Sequence, residues 1–322
     1  VNSSFFVISD HILPAFDSVV LIHTQQQEAA MTTTSFKEDI VVRKDLDFGI
    51  TDKDIPRYWM DGDAFKTRVI DGVQMSFPDG ERYFISSVRN FKDKITDPEL
   101  LKAVKDFSFQ EGQHGKVHTD YNKRLKEQGV PVDKMLHVIT KIMNRRLQVL
   151  SPEYNLAMTA ALEHFTAMMA EMFFARKEVM AGADHRVRAM LAWHAVEEME
   201  HKAVAFDVMQ KVAKVGYFKR SLAMAHAMFN FTLHTLVFTW IILGTDGFKG
   251  WTRFKMYSKG LVWLLGPKGL YSSLLPKLLN YFKPGFHPWQ DPTVHNYGVW
   301  LEVFNKTGNP VEAGEAMYAA AH

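Results

Sequence analysis

Nine consecutive residues, Trp193-His194-Ala195-Val196-Glu197-Glu198-Met199-Glu200-His201, hold three carboxylates and two imidazoles. On a helix, Glu198 and His201 stand one turn apart on one face, and His194 returns to nearly the same azimuth as His201. Carboxylate and imidazole on one face are the donors that bind a divalent metal ion. By itself the stretch reads equally well as a solvated acidic face. A second Glu-x-x-His, Glu111 and His114, lies about ninety residues earlier, with His118 close to the azimuth of Glu111. Sixteen Glu and 14 His in this chain would give about 0.7 such motifs by chance, so the pattern alone decides nothing.

Placement raises the odds. Each Glu-x-x-His falls on its own long helix, and the helix before each offers a further carboxylate: Glu81 before the first and Glu163 before the second. One Glu from each of two helices and one Glu-x-x-His from each of two more is the ligand count of a carboxylate-bridged dinuclear centre in a four-helix bundle. Bridging carboxylates offset the charge of two ions, and open positions are left for substrate. The expected ligands are therefore Glu81, Glu111, His114, Glu163, Glu198 and His201. A capping carboxylate is the plain alternative for Glu81, and a salt bridge for Glu163. His118 reads as a hydrogen-bond partner of a ligand ahead of a third imidazole ligand. Glu197 and His194 read as groups that orient His201 or relay protons, with a surface salt bridge as the alternative for Glu197. Glu200 is expected to face away.

The elements that must position these residues are helical throughout. After a polar, extended arm from Met31 to Pro56, Tyr58-Trp59 open a helical pattern that runs to Met75, and Ser76-Phe77-Pro78 caps the helix of Glu81. Asp97-Pro98 starts the helix of Glu111, which ends near Gln128 before Gly129 and Pro131. Within it Gly112 and Gly115 each cost about 1 kcal/mol, which predicts the close approach of another helix. An amphipathic helix follows over 132–150. Ser151-Pro152 starts a helix that reaches 181–182 and is apolar nearly all round, hence buried around Glu163. Asp184 caps the helix of Glu198, expected to continue to about Val215. Residues 218–244 are long and apolar enough to cross a membrane, but His226, Asn230 and His234 interrupt them, and a buried bundle helix is the better reading. Shorter helical pieces, a Pro/Gly/aromatic loop at 281–289, a helix over 292–306 and a polar tail complete the chain. No strand alternation or repeat is evident. The fold class is all-α, with three parts: an arm at 1–56, the metal-binding helices at 57–292 and a C-terminal helix and tail at 293–322.

Composition narrows the chemistry. The 322 residues contain no Cys, which excludes thiolate metal sites, iron–sulfur clusters, disulfides and cysteine nucleophiles. A formal charge of +2 with interspersed signs gives no nucleic-acid footprint. Met and Phe are plentiful, at 17 and 24, and suit an adaptable core or an apolar pocket. The chain starts at Val1 without a basic leader, so Met31 is expected to be the native start, with residues 1–30 upstream of it.

Several blocks also resemble a known family. Trp59-Met60-Asp61-Gly62-Asp63, Ser76 through Arg89, Gln110-Glu111-Gly112-Gln113-His114, Ala161-Leu162-Glu163-His164, Trp193 through Val208 and Tyr281 through Pro288 are similar to the bacterial proteins known as predicted metal-dependent hydrolases. The resemblance covers roughly residues 57–292. It implies a ferritin-like dinuclear-metal bundle and the same six ligands. The family name implies a hydrolase. Carboxylate-rich sites with one His per metal instead suit iron or manganese, and point to a di-iron oxidase or oxygenase that activates dioxygen on an apolar or amphiphilic small molecule. Hydrolysis with zinc or manganese is the alternative, and a non-catalytic membrane-surface protein the third reading. The expected cofactor is two metal ions, with iron first. The expected partners are a hydrophobic small molecule, an electron donor, peripheral membrane contact through residues 218–244 and a second copy in a homodimer, in a cytoplasmic or membrane-associated protein.

Overall fold

The computed structural model describes residues 38–322, so the expectation about Met31 and residues 1–30 lies outside the described residues. Residues 38–63 contain no helix. Asp61 and Gly62 both take left-handed backbone angles (φ 56° and 66°), which turn the chain. For that reason the first helix, α1 (Ala64–Gln74), begins later than the apolar pattern predicts, under Asp63, whose carboxylate accepts from Lys66 N. Ser76 is not a cap. Its own backbone is helical, its hydroxyl donates to Val73 O, and α2 (Phe77–Arg89) follows α1 almost without a break, with Pro78 in its first turn.

Three further caps behave as their sequences predict. Asp97 accepts from Glu99 N and Leu100 N at the start of α3 (Pro98–Glu127), and α4 (Val132–Val149) follows a short turn. Ser151 accepts from Tyr154 N at the start of α5 (Pro152–Phe174), which ends earlier than expected. Asp184 caps α6 (His185–His201), and this helix stops at the second ligand motif instead of running to Val215. The chain is interrupted at 202–203, where Lys202 Nζ donates to Asp291 O, and it then makes a short turn over Val204–Asp207 and a wide one over Val208–Val212.

Helices α2, α3, α5 and α6 close a ring, with each packing on its two neighbours. The sequence explains why they face inward. Helix α5 has no polar face, and 17 of its 23 residues are buried, Glu163 and His164 among them. Gly115 on α3 is where α2 comes closest: a Cβ there would sit 3.2 Å from Glu81 Oε2 and 3.8 Å from Pro78 Cα. Gly112 meets nothing within 4 Å, so close approach accounts for only one of the two glycines.

The remaining helices wrap this ring. Helix α7 (Tyr217–Thr245) packs on α1 and α5, but only nine of its 29 residues are buried, so it is not the fully buried helix that its composition suggests. Its polar interruptions face the protein: Asn230 accepts from Arg146, and His226 Nδ1 lies 3.1 Å from Tyr154 Oη. Helices α8 (Gly250–Leu265) and α9 (Leu275–Asn280) follow, then α10 (Tyr297–Thr307). The expected polar tail is instead a helix, α11 (Pro310–Ala319), started by Gly308 at φ 67° and by Asn309, which accepts from Val311 N and Glu312 N. It lies directly on α6: a Cβ on Gly314 would stand 2.6 Å from Ala189 Cα. Arg188 on α6 forms a two-point ion pair with Glu315 on α11. Among the described residues there is no strand, only one isolated bridge between Met60 and Ala183, and the chain is all-α as its sequence predicts.

Candidate metal centre

The four ring helices bring Glu81 (α2), Glu111 and His114 (α3), Glu163 (α5) and Glu198 and His201 (α6) to one buried point, none more than 4% exposed. Three sets of donor atoms fall within 4.8 Å of one another using these residues and His194: Glu81, Glu111 and His114; Glu111, Glu198 and His201; and His114, His194 and Glu198. The sets overlap through Glu111, Glu198 and His114, so the donors form one continuous cluster. Glu163 stands on the far side, its Oε2 3.5 Å from His201 Nε2.

Six carboxylate oxygens, those of Glu81, Glu111 and Glu163, make no hydrogen bond of normal geometry, and neither does His114 Nδ1 or His201 Nε2. Buried, unpartnered carboxylates cost several kcal/mol each unless cations offset them. Among the described residues, no Lys or Arg forms a salt bridge with Glu81, Glu111, Glu163 or Glu198. Burial, with mutual repulsion added, pushes the carboxyls of Glu81 and Glu163 well above their usual range, and burial also raises Glu111. Burial drives the His114 and His118 imidazoles well below theirs, which keeps them neutral as ligands must be. For Glu198, burial works upward, but hydrogen bonds from His194 and His201 outweigh it and hold the carboxyl low. His201 is likewise opposed by burial and raised on balance by Glu111 and Glu198. The donor set and its missing counter-charge fit bound metal cations.

Behind each motif histidine stands a polar side chain, a close ion-pair contact for His114 and a hydrogen bond for His201. His114 Nε2 lies 3.0 Å from Glu197 Oε2, and Glu197 Oε1 accepts from Trp193 Nε1 and Arg43. His201 Nδ1 lies 2.8 Å from Gln110 Oε1, and Gln110 Nε2 donates to Glu200 Oε2. Both supports end on one guanidinium: Arg43 donates to Glu197 and, through both terminal nitrogens, to Glu200. Its charge holds at full strength because the two carboxylates outweigh the burial that opposes it. Tyr297 on α10 closes the network with a hydrogen bond to Glu200. The sequence reading therefore errs on Glu200, which is fully buried and part of the support, and it misses Arg43 altogether. Glu197 supports His114, not His201, and burial raises its carboxyl to about 8. Nothing local marks Arg43, because its carboxylate partners lie more than 150 residues away.

On the opposite side stand two further imidazoles. His194 Nε2 is 3.0 Å from Glu198 Oε1, and its Nδ1 is 2.7 Å from His118 Nε2. Glu81, His118 and His194 form a fourth set of donors within 4.8 Å. His118 thus bonds an imidazole instead of the carboxylate expected of it. The Glu81 side of the centre has three imidazoles within reach and the Glu163 side has one.

A cavity of about 140 Å³ reaches the centre from this histidine-rich side. Its lining includes Glu81, His194 and Glu198 together with Phe77, Met158, Leu162, Ile142, Met143, Phe231 and Arg146. A second, tighter void beyond Phe77 and Phe231 meets the same His194 and Glu198 and is lined by Met169, Met172 and Phe173. The Met- and Phe-rich helix of Glu163 therefore does line the space beside the centre. Thr166 donates to Glu198 Oε2 at the junction of the two.

A family model described as "predicted metal-dependent hydrolase" matches residues 42–291. The chain belongs to this family. No curated protein and no solved structure matches it. The span shared with the predicted metal-dependent hydrolases contains all eight donors and extends far enough towards the N-terminus to include Arg43, whereas Tyr297 and Glu315 fall outside it.

Proposed function

We propose that this protein is a dinuclear metal-dependent hydrolase, with Glu81, Glu111, His114, Glu163, Glu198 and His201 holding two ions in a ferritin-like arrangement. The observation that carries the reading is the set of six buried carboxylate oxygens without a hydrogen bond, beside four imidazole nitrogens of His114, His118 and His201 that also lack one. Bound divalent ions would supply Lewis-acid activation of water and of the scissile group. Hydrolysis is favoured over oxidation by the family to which the chain belongs and by the imidazole count. An oxidase is expected from one His per metal, but the Glu81 side offers His114, His118 and His194. Imidazole-rich sites lean towards zinc.

The residues divide the work by position. Glu198, His194 and His118 form a hydrogen-bonded line beside the cavity, along which a proton released by attacking water can be held and returned to the leaving group. The apolar walls select an apolar or amphiphilic small molecule and exclude bulk water. Glu197, Glu200, Gln110 and Arg43 do not line the cavity and act by positioning His114 and His201.

The test is metal analysis of the purified protein, followed by anaerobic assays of zinc- and manganese-loaded protein on a panel of carboxylic and phosphoric esters with apolar groups. Two ions per chain and oxygen-independent turnover are expected, with both lost in Glu111→Ala and Glu198→Ala. The four carboxylates and the apolar cavity also support a second reading, a di-iron oxidase. Under it, the ferrous protein consumes dioxygen and is inert towards the esters, which would overturn hydrolysis while leaving the metal centre in place. A protein that binds neither zinc, manganese nor iron would refute both.

A further inference from the structure

Helix α7 is long and apolar enough to cross a membrane, yet one face of it is fixed in the bundle: Ala223, Met224, Ala227, Phe238 and Ile242 are buried. A Cβ on Gly72 of α1 would stand 3.3 Å from Phe238 Cβ, so the two helices are in close contact. Phe218, Leu222, Phe229, Leu233, Val237 and Ile241 are exposed, Phe218 by 85% and Phe229 by 66%. At 100° per residue these six fall within an arc of about 140°, one continuous stripe. Helix α8 adds Trp251, exposed by 74%, and Val262, exposed by 68%, and α9 adds Leu275 and Leu279. Isolated exposed apolar residues need no explanation, but a stripe six turns long does.

The charge around it is equally one-sided. Residues 217–283 contain nine Lys and Arg and a single acidic residue, Asp246, in a chain with 38 basic and 36 acidic residues in all. The rest of the chain is therefore net acidic. Lys249, Lys255, Lys259, Lys268 and Lys283 are exposed and take part in no salt bridge among the described residues. Asp246 is already neutralised by Arg57 and Arg68.

An apolar stripe with aromatic residues and flanking lysines is the pattern of a helix that lies in the interface of an anionic membrane. We propose that the face formed by α7, α8 and α9 docks on an anionic lipid bilayer, with the stripe of α7 in the headgroup–acyl boundary and the lysines over the lipid phosphates. The helix lies along the surface and does not span the bilayer, because spanning would strip its inner face from α1 and α5 and expose His226, Asn230 and His234. The same helix supplies Ala227, Asn230, Phe231 and His234 to the wall of the cavity beside the metal centre.

The full-length protein is sedimented with vesicles of phosphatidylcholine alone or mixed with phosphatidylglycerol. Binding to the anionic vesicles is expected, with quenching of fluorescence by brominated lipid that falls in Trp251→Phe. Combining Lys255→Gln, Lys259→Gln and Lys268→Gln should weaken binding about 100-fold, at roughly a factor of five per lysine. Combining Phe218→Ser, Leu222→Ser and Phe229→Ser should abolish it, with unchanged helical circular dichroism because all three are at the surface. Equal binding to neutral vesicles, or binding indifferent to the lysines, would overturn the proposal. So would resistance to alkaline extraction, which marks a spanning helix. A dimer in light scattering that the serine variant splits, with no vesicle binding, would assign the face to a second copy instead. Vesicle binding is scored without metal or turnover, so its outcome is separate from that of the hydrolase reading.

Discussion

The two sides of the metal centre are built on opposite plans. The side of Arg43 is sealed and made of salt bridges: His114 and His201 are both held from behind, and the two supports converge on one guanidinium. The side of His118 and His194 faces a cavity with largely apolar walls, in which Arg146 is the one Lys or Arg among the lining residues. In the function proposed above, the sealed side would fix geometry and the open side would leave room for substrate and a path for a proton.

Breaking the sealed side should have the largest effect. Arg43→Ala leaves Glu197 and Glu200 buried without their cation, at a cost of about 3–5 kcal/mol in urea-unfolding stability. It also loosens both histidines at once, so metal affinity should fall at both sites by roughly 10–100-fold in competition titrations. If only one ion is affected, the two supports do not share Arg43 in the way the hydrogen bonds imply.

The open side should respond to acid. His234 borders the cavity, and burial alone pushes its imidazole down to about 4. It is neutral in the fold, while the unfolded chain takes up a proton near pH 6.5. Its contribution is therefore fully present above pH 6.5 and is lost as the pH falls towards 4, by up to about 3 kcal/mol. In the metal-free protein, His234→Phe should flatten stability across that window, as measured by denaturant unfolding at each pH. An unchanged pH profile would place the acid sensitivity elsewhere.

The two supports can be separated from each other with smaller effects. Glu197→Gln should weaken one ion by about 10–100-fold and spare the other, and Gln110→Leu should do the converse. His118→Ala should act only on the ion that Glu197→Gln affects, since His118 and the His114 that Glu197 contacts each share a donor set with Glu81. Calorimetric titration that resolves two binding events would show it. The smallest expected effect is that of Gly115→Ala. The added methyl would lie 3.2 Å from Glu81 Oε2, so Glu81 must give way by a few tenths of an ångström. A loss of about 1 kcal/mol or less in affinity for the same ion follows, offset in the metal-free protein by better helix propensity. Thermal unfolding with and without metal measures the two terms.

Much of this was legible in the chain itself. Glu111 with His114 and Glu198 with His201 are local pairs, so the 3.6-residue period alone puts each on one helix face. Glu163 is readable because its helix has no polar side on which a carboxylate could be exposed. The caps at Asp97, Ser151 and Asp184 follow from short-range hydrogen bonding that the sequence states directly. Even the missed α11 had a local signal in Gly308-Asn309-Pro310, an end and a start in three residues.

What only the tertiary structure decided is what lies behind and beside those ligands. Arg43 sits in a segment with no periodicity, and nothing short-range ties it to Glu197 or Glu200. Glu200 looks solvent-bound until α10 and the arm cover it. The pairing of His118 with His194, which makes the centre asymmetric, joins two helices across 76 residues of chain. The half-exposure of α7 depends on which neighbours the bundle supplies to an apolar helix, and no property of the helix itself fixes that number. Ligand spacing is a consequence of backbone geometry and is written in the sequence. Counter-charge, support and exposure arise from contacts between distant segments, and they exist only once the chain has folded.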